Sequence, residues 1–252
     1  MVTNSSDNNG SLVREREYFD QLVEKQGDFN PFTQDGWNSL RKQFRKSTSP
    51  STPIRILDIG CGTGQSRQIY IDNASYYLGV DLSAQSIAVA KAKFLESEWQ
   101  VADARNLPLA SESFDLVAFS SVLHHIPNFT EALKEAGRVL RPGGIVFAFD
   151  PNLLHPAMAL LRHPKSPFYL SQGVSPDERP LLPSTLKNAF QQAGLTHIRQ
   201  RCLSNLPYRA VAPRGINAFL SIYNQADRLW AWSGLGYFFG TFVITWARKQ
   251  DY

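Results

Sequence analysis

An α/β fold built on a parallel sheet is what the chain predicts, and three observations predict it. Short apolar runs at 54–59, 76–80, 114–120 and 145–149 alternate with helix-compatible stretches at 65–71, 83–96 and 130–140. Strands alternating with helices make βαβ units, whose sheet is covered on both faces. A glycine-rich turn, Gly60-Cys61-Gly62-Thr63-Gly64, follows the first apolar run directly, and acids stand at strand ends at Asp58, Asp81 and Asp103.

Composition sets the outer limits. The 252 residues are 43% apolar and 19% charged, enough for one large packed domain. That balance excludes collagen-like, disulfide-rich and wholly disordered classes. Cys61 and Cys202 are too few for a disulfide framework or a cysteine-based zinc site, so a cytoplasmic setting is expected and no metal set is read from the motifs. The polar start MVTNSSDNNGS carries no apolar core of a secretory signal. A net charge of +4 says little about partners.

Taken in order, residues 1–10 read as a disordered tail and 11–50 as a helical extension. Leu12, Val13, Tyr18, Phe19, Leu22 and Val23 fall near helical spacing until Asn30-Pro31 breaks the pattern. A second helix at 34–46 places Trp37, Leu40 and Phe44 on one face. The serine- and proline-rich 47–53 reads as a linker, and 51–252 as the main domain, with insertions at 151–183 and 204–236. The first insertion holds seven prolines, so irregular chain is expected there. A helix at 186–193 stopped by Gly194 precedes a strand at 195–203. Ile216, Phe219, Leu220, Tyr223, Ala226 and Trp230 then mark one more amphipathic helix.

The chemistry concentrates at the glycine turn. Glycine lets backbone turn tightly and lets a ligand approach main-chain N–H groups. The G-x-G-x-G spacing differs from the dinucleotide G-x-G-x-x-G, and Asp58 beside it repels a pyrophosphate but suits a cationic ligand. Asp81, about twenty residues on, is placed to accept both hydroxyls of a ribose, and Asp103 to accept from an adenine amine. Either acid alone could simply cap the following helix.

Six segments then carry a family likeness: Asp58–Gly64, Val80–Ser83, Ala102–Ala104, Ser113–Val117, Val122–Pro127 and Arg138–Gly144. In order and spacing they resemble class I S-adenosylmethionine-dependent methyltransferases, in the small-molecule group that includes the ubiquinone/menaquinone C-methylases. The resemblance covers about 54–150. It implies a Rossmann-like, seven-stranded, mostly parallel sheet with helices on both faces, the last strand antiparallel, plus N-terminal helices and an acceptor-side lid. It implies S-adenosyl-L-methionine as cofactor, held by Asp58, Gly60, Cys61, Gly62, Gly64, Gln65, Asp81, Leu82, Asp103, Ala104 and Ser120.

His124 and His125 follow the 114–120 strand at the carboxyl edge, where an acceptor would lie. Either is a candidate base, though lining the cofactor pocket is the other reading. Asp150, Asn152, Tyr169, Arg209 and Tyr223 are candidate acceptor contacts, and Arg214 joins Arg209 as a site for an anionic group. The insertions are rich in apolar and aromatic residues, which suits a hydrophobic or lipid-linked acceptor; a secondary core or a homodimer contact explains them equally. The alternatives are an RNA methyltransferase, supported only by mild basicity and the Arg/Lys near the amino end, and a cofactor-binding non-catalytic partner. The uncharged run 229–247 is about long enough to cross a bilayer. The family likeness instead makes 238–246 the last strand, leaving peripheral membrane contact through Trp230, Trp232 and Tyr237 open.

Overall fold

The computed structural model describes residues 5–48, 53–169, 174–209 and 214–251. Its centre is a seven-stranded sheet of β1 (Ile54–Ile59), β2 (Ala74–Asp81), β3 (Glu98–Val101), β4 (Phe114–Ser120), β5 (Leu140–Pro151), β6 (Leu195–Leu203) and β7 (Phe242–Lys249). The strands run in the order β3-β2-β1-β4-β5-β7-β6. β1 to β5 pair in parallel, and β7 inserts antiparallel between β5 and β6, as the resemblance implied. β1 lies between β2 and β4, so the chain crosses from one half of the sheet to the other there. Open α/β sheets leave a crevice at that switch point, outside the strands' carboxyl ends.

Both faces are covered. On one, α5 (Thr130–Val139) and α7 (Pro183–Gln192) bury Leu133, Ala136, Val139, Leu186 and Phe190. On the other, α2 (Gln34–Thr48) presents Trp37, Leu40 and Phe44 at i, i+3 and i+7. Phe44 meets Tyr70 and Phe147 edge-on at 5.1 and 5.3 Å. Each such fully buried side chain contributes about 1.5–3 kcal/mol relative to exposure. The N-terminal extension is therefore part of the domain's core.

Some boundaries differ from expectation. α1 (Ser5–Gln26) begins inside the stretch read as a tail, and most of the 47–53 linker lies outside the described residues. β5 starts at Leu140, because Leu140 pairs with Phe114 ahead of the irregular Arg141–Gly144 stretch. The uncharged run divides into the end of α8 (Arg214–Trp232), the one-turn α9 (Gly236–Phe239) and β7. The last strand thus starts at Phe242 rather than 238. Gly240 sets the break, since a Cβ there would meet Leu203 backbone at 2.6 Å. Among the described residues no helix is long and apolar enough to cross a membrane.

Candidate active site

A cavity of about 540 Å³ opens at the carboxyl ends of β1, β2, β4 and β5. Its polar end is built by the glycine turn. Gly62 has φ +52, which L side chains rarely adopt, and a Cβ there would meet nothing within 4 Å, so its backbone faces open space. Asp81 holds the turn: its carboxylate accepts from Gly62 N–H at 2.8 Å and from Ser83 N–H at 2.9 Å. Burial nevertheless raises its pKa. Ser83 continues the chain by capping α4 (Ala84–Lys93), accepting from Ser86 N–H.

The expected cofactor residues divide by position. Gly60, Cys61, Gly62, Gln65, Asp81, Leu82, Asp103, Ala104 and Ser120 line the cavity. Asp58 does not: it is fully buried beneath the floor, accepting from Ser66 (2.6 Å), Tyr77 (2.7 Å) and Ser120 (2.5 Å) hydroxyls. Burial outweighs those bonds and pushes it up to about 6. It braces the turn from below through Ser66 and Ser120. Gly64 serves packing, because a side chain there would run into Phe94 and Trp99. Gly60 lies against Val122, which a Cβ would overlap at 2.3 Å. Asp103 sits at the rim with both carboxylate oxygens engaged by Arg105. Burial pushes the Cys61 thiol well up, which removes it as a nucleophile.

Past the turn, β4 leads into a 3₁₀ turn, Leu123–His125, that brings two histidines into the cavity wall. His124 Nδ1 lies 2.8 Å from Asp150 Oδ1, and His124 N–H donates to the same oxygen at 3.2 Å. Burial, then the nearby His125 and Arg162, hold His124 well below its usual pKa, and burial pushes Asp150 up to about 8. His125 Nδ1 lies 2.9 Å from Ser175 Oγ and 3.0 Å from Glu15 Oε2. Burial alone would lower its pKa, but the hydrogen bond to Glu15 and the charges of Glu178, Glu15 and Asp150 raise it.

The remaining wall is apolar and aromatic. Tyr18, Phe19 and Leu22 of α1, Met158 and Leu161 of α6 (Pro156–Leu161), and Tyr208, Tyr223 and Phe242 close it. Of the five candidate acceptor contacts, only Tyr223 lines the cavity. Tyr223 faces the cavity, with its hydroxyl buried and without a hydrogen-bond partner. Asp150 reaches the cavity through His124. Asn152 is fully buried and occupied, donating to Gly240 carbonyl at 2.8 Å and accepting from Leu154 N–H at 3.0 Å. Tyr169 lies away from the cavity lining, and Arg209 is exposed at the surface. The Arg214 side chain lies outside the described residues.

Sequence reasoning missed Glu15, Arg162 and Glu178, all of which line the cavity. Glu15 had a signal: it falls among Leu12, Phe19 and Leu22 on the apolar stripe of α1, a place for an acid only if it has a polar task. α1 is also tied to the turn. Asp28, just beyond it, accepts from Thr63 at 2.5 Å and Gln65 at 3.1 Å, and Asp20 accepts from Ser83 at 2.6 Å.

This geometry fits S-adenosylmethionine. The turn backbone at Gly62 faces open space, the Asp81 carboxylate stands at the end of β2 in the cavity wall, and acids rather than bases flank the turn, which suits a sulfonium. Residues 57–148 match a family model described as a methyltransferase domain. Relatives include the malonyl-[acyl-carrier protein] O-methyltransferase of Enterobacter lignolyticus, 37% identical over 43% of this chain and 45% of that protein. They also include the ubiquinone biosynthesis O-methyltransferase of Rhizobium etli (27%, 60% and 63%). A ubiquinone/menaquinone biosynthesis C-methyltransferase of Campylobacter jejuni is 33% identical over 45% of this chain and 52% of its own. The matched stretches thus span less than two thirds of each relative. Among solved structures, the [4+2]-cyclase SpnF superposes with TM-score 0.65 at 20% identity, covering 96% of this chain and 97% of that one. Phosphoethanolamine N-methyltransferase 2 of Haemonchus contortus, complexed with S-adenosylmethionine, gives 0.61 at 22%, over 85% and 53%. These two likenesses concern the fold. The motifs, the sheet order and the family match agree that residues 57–148 form a methyltransferase domain, which resembles the class I S-adenosylmethionine-dependent methylases and, among them, the ubiquinone methylases.

Proposed function

We propose that the protein methylates an oxygen of a small, hydrophobic or lipid-linked metabolite. One observation carries the reading: a single cavity joins the acid-and-glycine rim to an aromatic chamber with a histidine wall. S-adenosylmethionine supplies, when bound, a methyl group on a sulfonium; the C–S bond breaks as the new O–C bond forms, leaving a neutral thioether. The chain's own task is to align the acceptor and exclude water. Gly62 and Asp81 fix the donor end. Phe19, Met158, Phe149 and Phe242 give the acceptor an apolar seat. His124 and His125, backed by Asp150 and Glu15, face the place of the reacting oxygen, where they assist loss of its proton. The relatives named for quinone and malonyl-carrier substrates support an acceptor of this kind.

The test is transfer of isotope-labelled methyl from S-adenosylmethionine into a cell extract, with identification of the labelled species. An apolar small molecule is expected. Label in ribonuclease-sensitive material, or protein that binds the cofactor and transfers nothing, would overturn the reading; the second outcome matters because a cyclase shares the fold.

We propose further that the α8–α9 corner rests on an anionic bilayer. Trp232 is 87% and Phe238 63% exposed, with Leu229, Leu235 and Tyr237 also outside. From Arg228 to Gln250 the sequence has no acid, and Arg228 is exposed beside these side chains. Co-sedimentation with vesicles containing phosphatidylglycerol should exceed that with phosphatidylcholine alone and fall in Trp232→Ser. Equal sedimentation, or a dimer in solution that Trp232→Ser splits, would refute it.

A further inference from the structure

We propose that His124, His125 and Glu178 form a binding site for a divalent transition-metal ion in the wall of the acceptor chamber. One ring nitrogen from each histidine and one carboxylate oxygen of Glu178 lie within 4.8 Å of one another. An ion with metal–ligand distances near 2.0–2.2 Å holds its ligands about 3–4 Å apart, so small side-chain rotations close the site.

The second observation lies behind the ligands. Metal-bound histidines usually anchor their other ring nitrogen on a carboxylate or a comparable acceptor, which fixes the ring and raises its basicity. Both rings do so here, His124 Nδ1 on Asp150 (2.8 Å) and His125 Nδ1 on Ser175 (2.9 Å) and Glu15 (3.0 Å). Nε2 of each ring is the nitrogen left for an ion. The two anchoring carboxylates are almost wholly inaccessible, Asp150 at 0% and Glu15 at 4%. Asp150 keeps Oδ2 without a hydrogen-bond partner, and Glu15 Oε2 faces His125 Nδ1 at 3.0 Å. Uncompensated buried acceptors are costly, and a cation a few ångströms away offsets that cost.

Glu178 is held to the same cluster. Ser175 braces both sides, its hydroxyl at His125 and its N–H donating to Glu178 Oε2 at 3.3 Å. Arg179 N–H donates to the His124 carbonyl at 3.2 Å, which ties this loop to the histidine turn. Arg162 lines the same cavity and is the positive charge a bound ion must tolerate. Two imidazoles and one carboxylate favour Zn²⁺, Mn²⁺, Fe²⁺ or Co²⁺ over calcium or magnesium. Three protein ligands leave a position open for an acceptor oxygen, whose proton becomes easier to lose to water. Two cysteines exclude a thiolate site, as the composition showed; they do not exclude this one.

What the ion does rests on the methyl-transfer reading, whereas the site stands on geometry, and the experiment separates them. Chelator-stripped full-length protein is titrated with Zn²⁺ by calorimetry and with Co²⁺ by visible absorption. One equivalent per chain is expected, with His125→Gln and Glu178→Gln each weakening it at least tenfold. Glu15→Gln should weaken it about ten- to a hundredfold, the usual loss for an outer partner of a ligand. Unchanged melting temperatures in these variants show that the fold is intact. No binding, or binding that survives undiminished in both ligand variants, overturns the site. Methyl transfer without metal binding also overturns it while leaving the proposed function standing. Metal binding without methyl transfer does the reverse.

Discussion

At the cofactor end of the cavity, Gly62, Asp81 and Asp103 stand at the ends of β1, β2 and β3, three adjacent strands traversed by one continuous piece of chain. At the acceptor end, Glu15, His124, Met158, Glu178 and Tyr223 come from five separate segments between α1 and α8. The first end is fixed by backbone: turn geometry and main-chain N–H groups on a carboxylate. The second is fixed by side chains meeting across long sequence distances. The difference teaches where each end should break. Changes at the turn act through backbone and fold, while changes in the chamber act on the ligand with little cost to the fold.

The largest effect is expected from Gly60→Ala. Residue 60 has φ +73 and its Cβ would overlap the Val122 side chain at 2.3 Å. A left-handed L residue costs about 1–2 kcal/mol and overpacking about 1–3 kcal/mol more. A loss of about 2–5 kcal/mol should appear as a drop on the order of 10 °C in melting temperature. Gly62→Ala sharpens the point, since it has the same backbone strain but no atom within 4 Å of the new Cβ. It should cost stability only about 1–2 kcal/mol while obstructing the cofactor. Equal melting losses in the two variants would dissolve the distinction between a packing glycine and a ligand glycine.

Next comes Asp81→Ala. Removing the half-buried carboxylate that holds Gly62, and that is proposed to take the ribose, should weaken S-adenosylmethionine by about 1–3 kcal/mol, roughly 5- to 150-fold in calorimetric Kd. Unchanged affinity would end the ribose assignment.

The contrast also explains what was legible. Gly60–Gly64, Asp81 and Asp103 lie close along the chain, and turn chemistry and strand ends need only local pattern, so the sheet and most of the acid-and-glycine rim of the cavity could be read directly. Asp58 was legible as important but not as buried, because nothing local shows that Ser66, Tyr77 and Ser120 converge on it. Glu178 sits in a proline-rich loop with no period, and its approach to His125 depends on tertiary packing that spacing does not encode. Asn152, Tyr169 and Arg209 followed the rule that insertions near the carboxyl edge face the ligand. The structure places Asn152 instead in a hydrogen-bonded corner with Gly240.

A smaller effect concerns pH. Asp58 titrates near 6 in the folded protein against about 3.9 in an unfolded chain. The native state therefore binds more protons between these values, so stability is greatest near pH 4 in this respect, falls as pH rises to about 6, and levels off above. Asp58→Asn should make the fall in urea midpoints between pH 4 and 6 shallower, leaving the fall that Asp150, pushed up to about 8, contributes up to that pH. A slope between pH 4 and 6 that is undiminished by the substitution would assign the whole fall to other groups.

The smallest expected effect lies in the chamber, at Tyr223. Its hydroxyl is buried, faces the cavity and has no hydrogen-bond partner, while the ring packs against Tyr208 at 5.9 Å and His155 at 6.4 Å. A desolvated donor without a partner is a cost to the fold, so Tyr223→Phe should leave the melting temperature unchanged or raise it slightly. If the hydroxyl donates to an oxygen of the acceptor, the same variant should raise KM for that acceptor severalfold, about 0.5–1.5 kcal/mol, with kcat and cofactor affinity kept. Opposite signs in stability and KM are what a ligand-facing group produces, since the cost it imposes on the empty protein is recovered only when the acceptor binds. A variant that melts earlier and keeps its KM would make Tyr223 a packing residue and return this part of the chamber to the core.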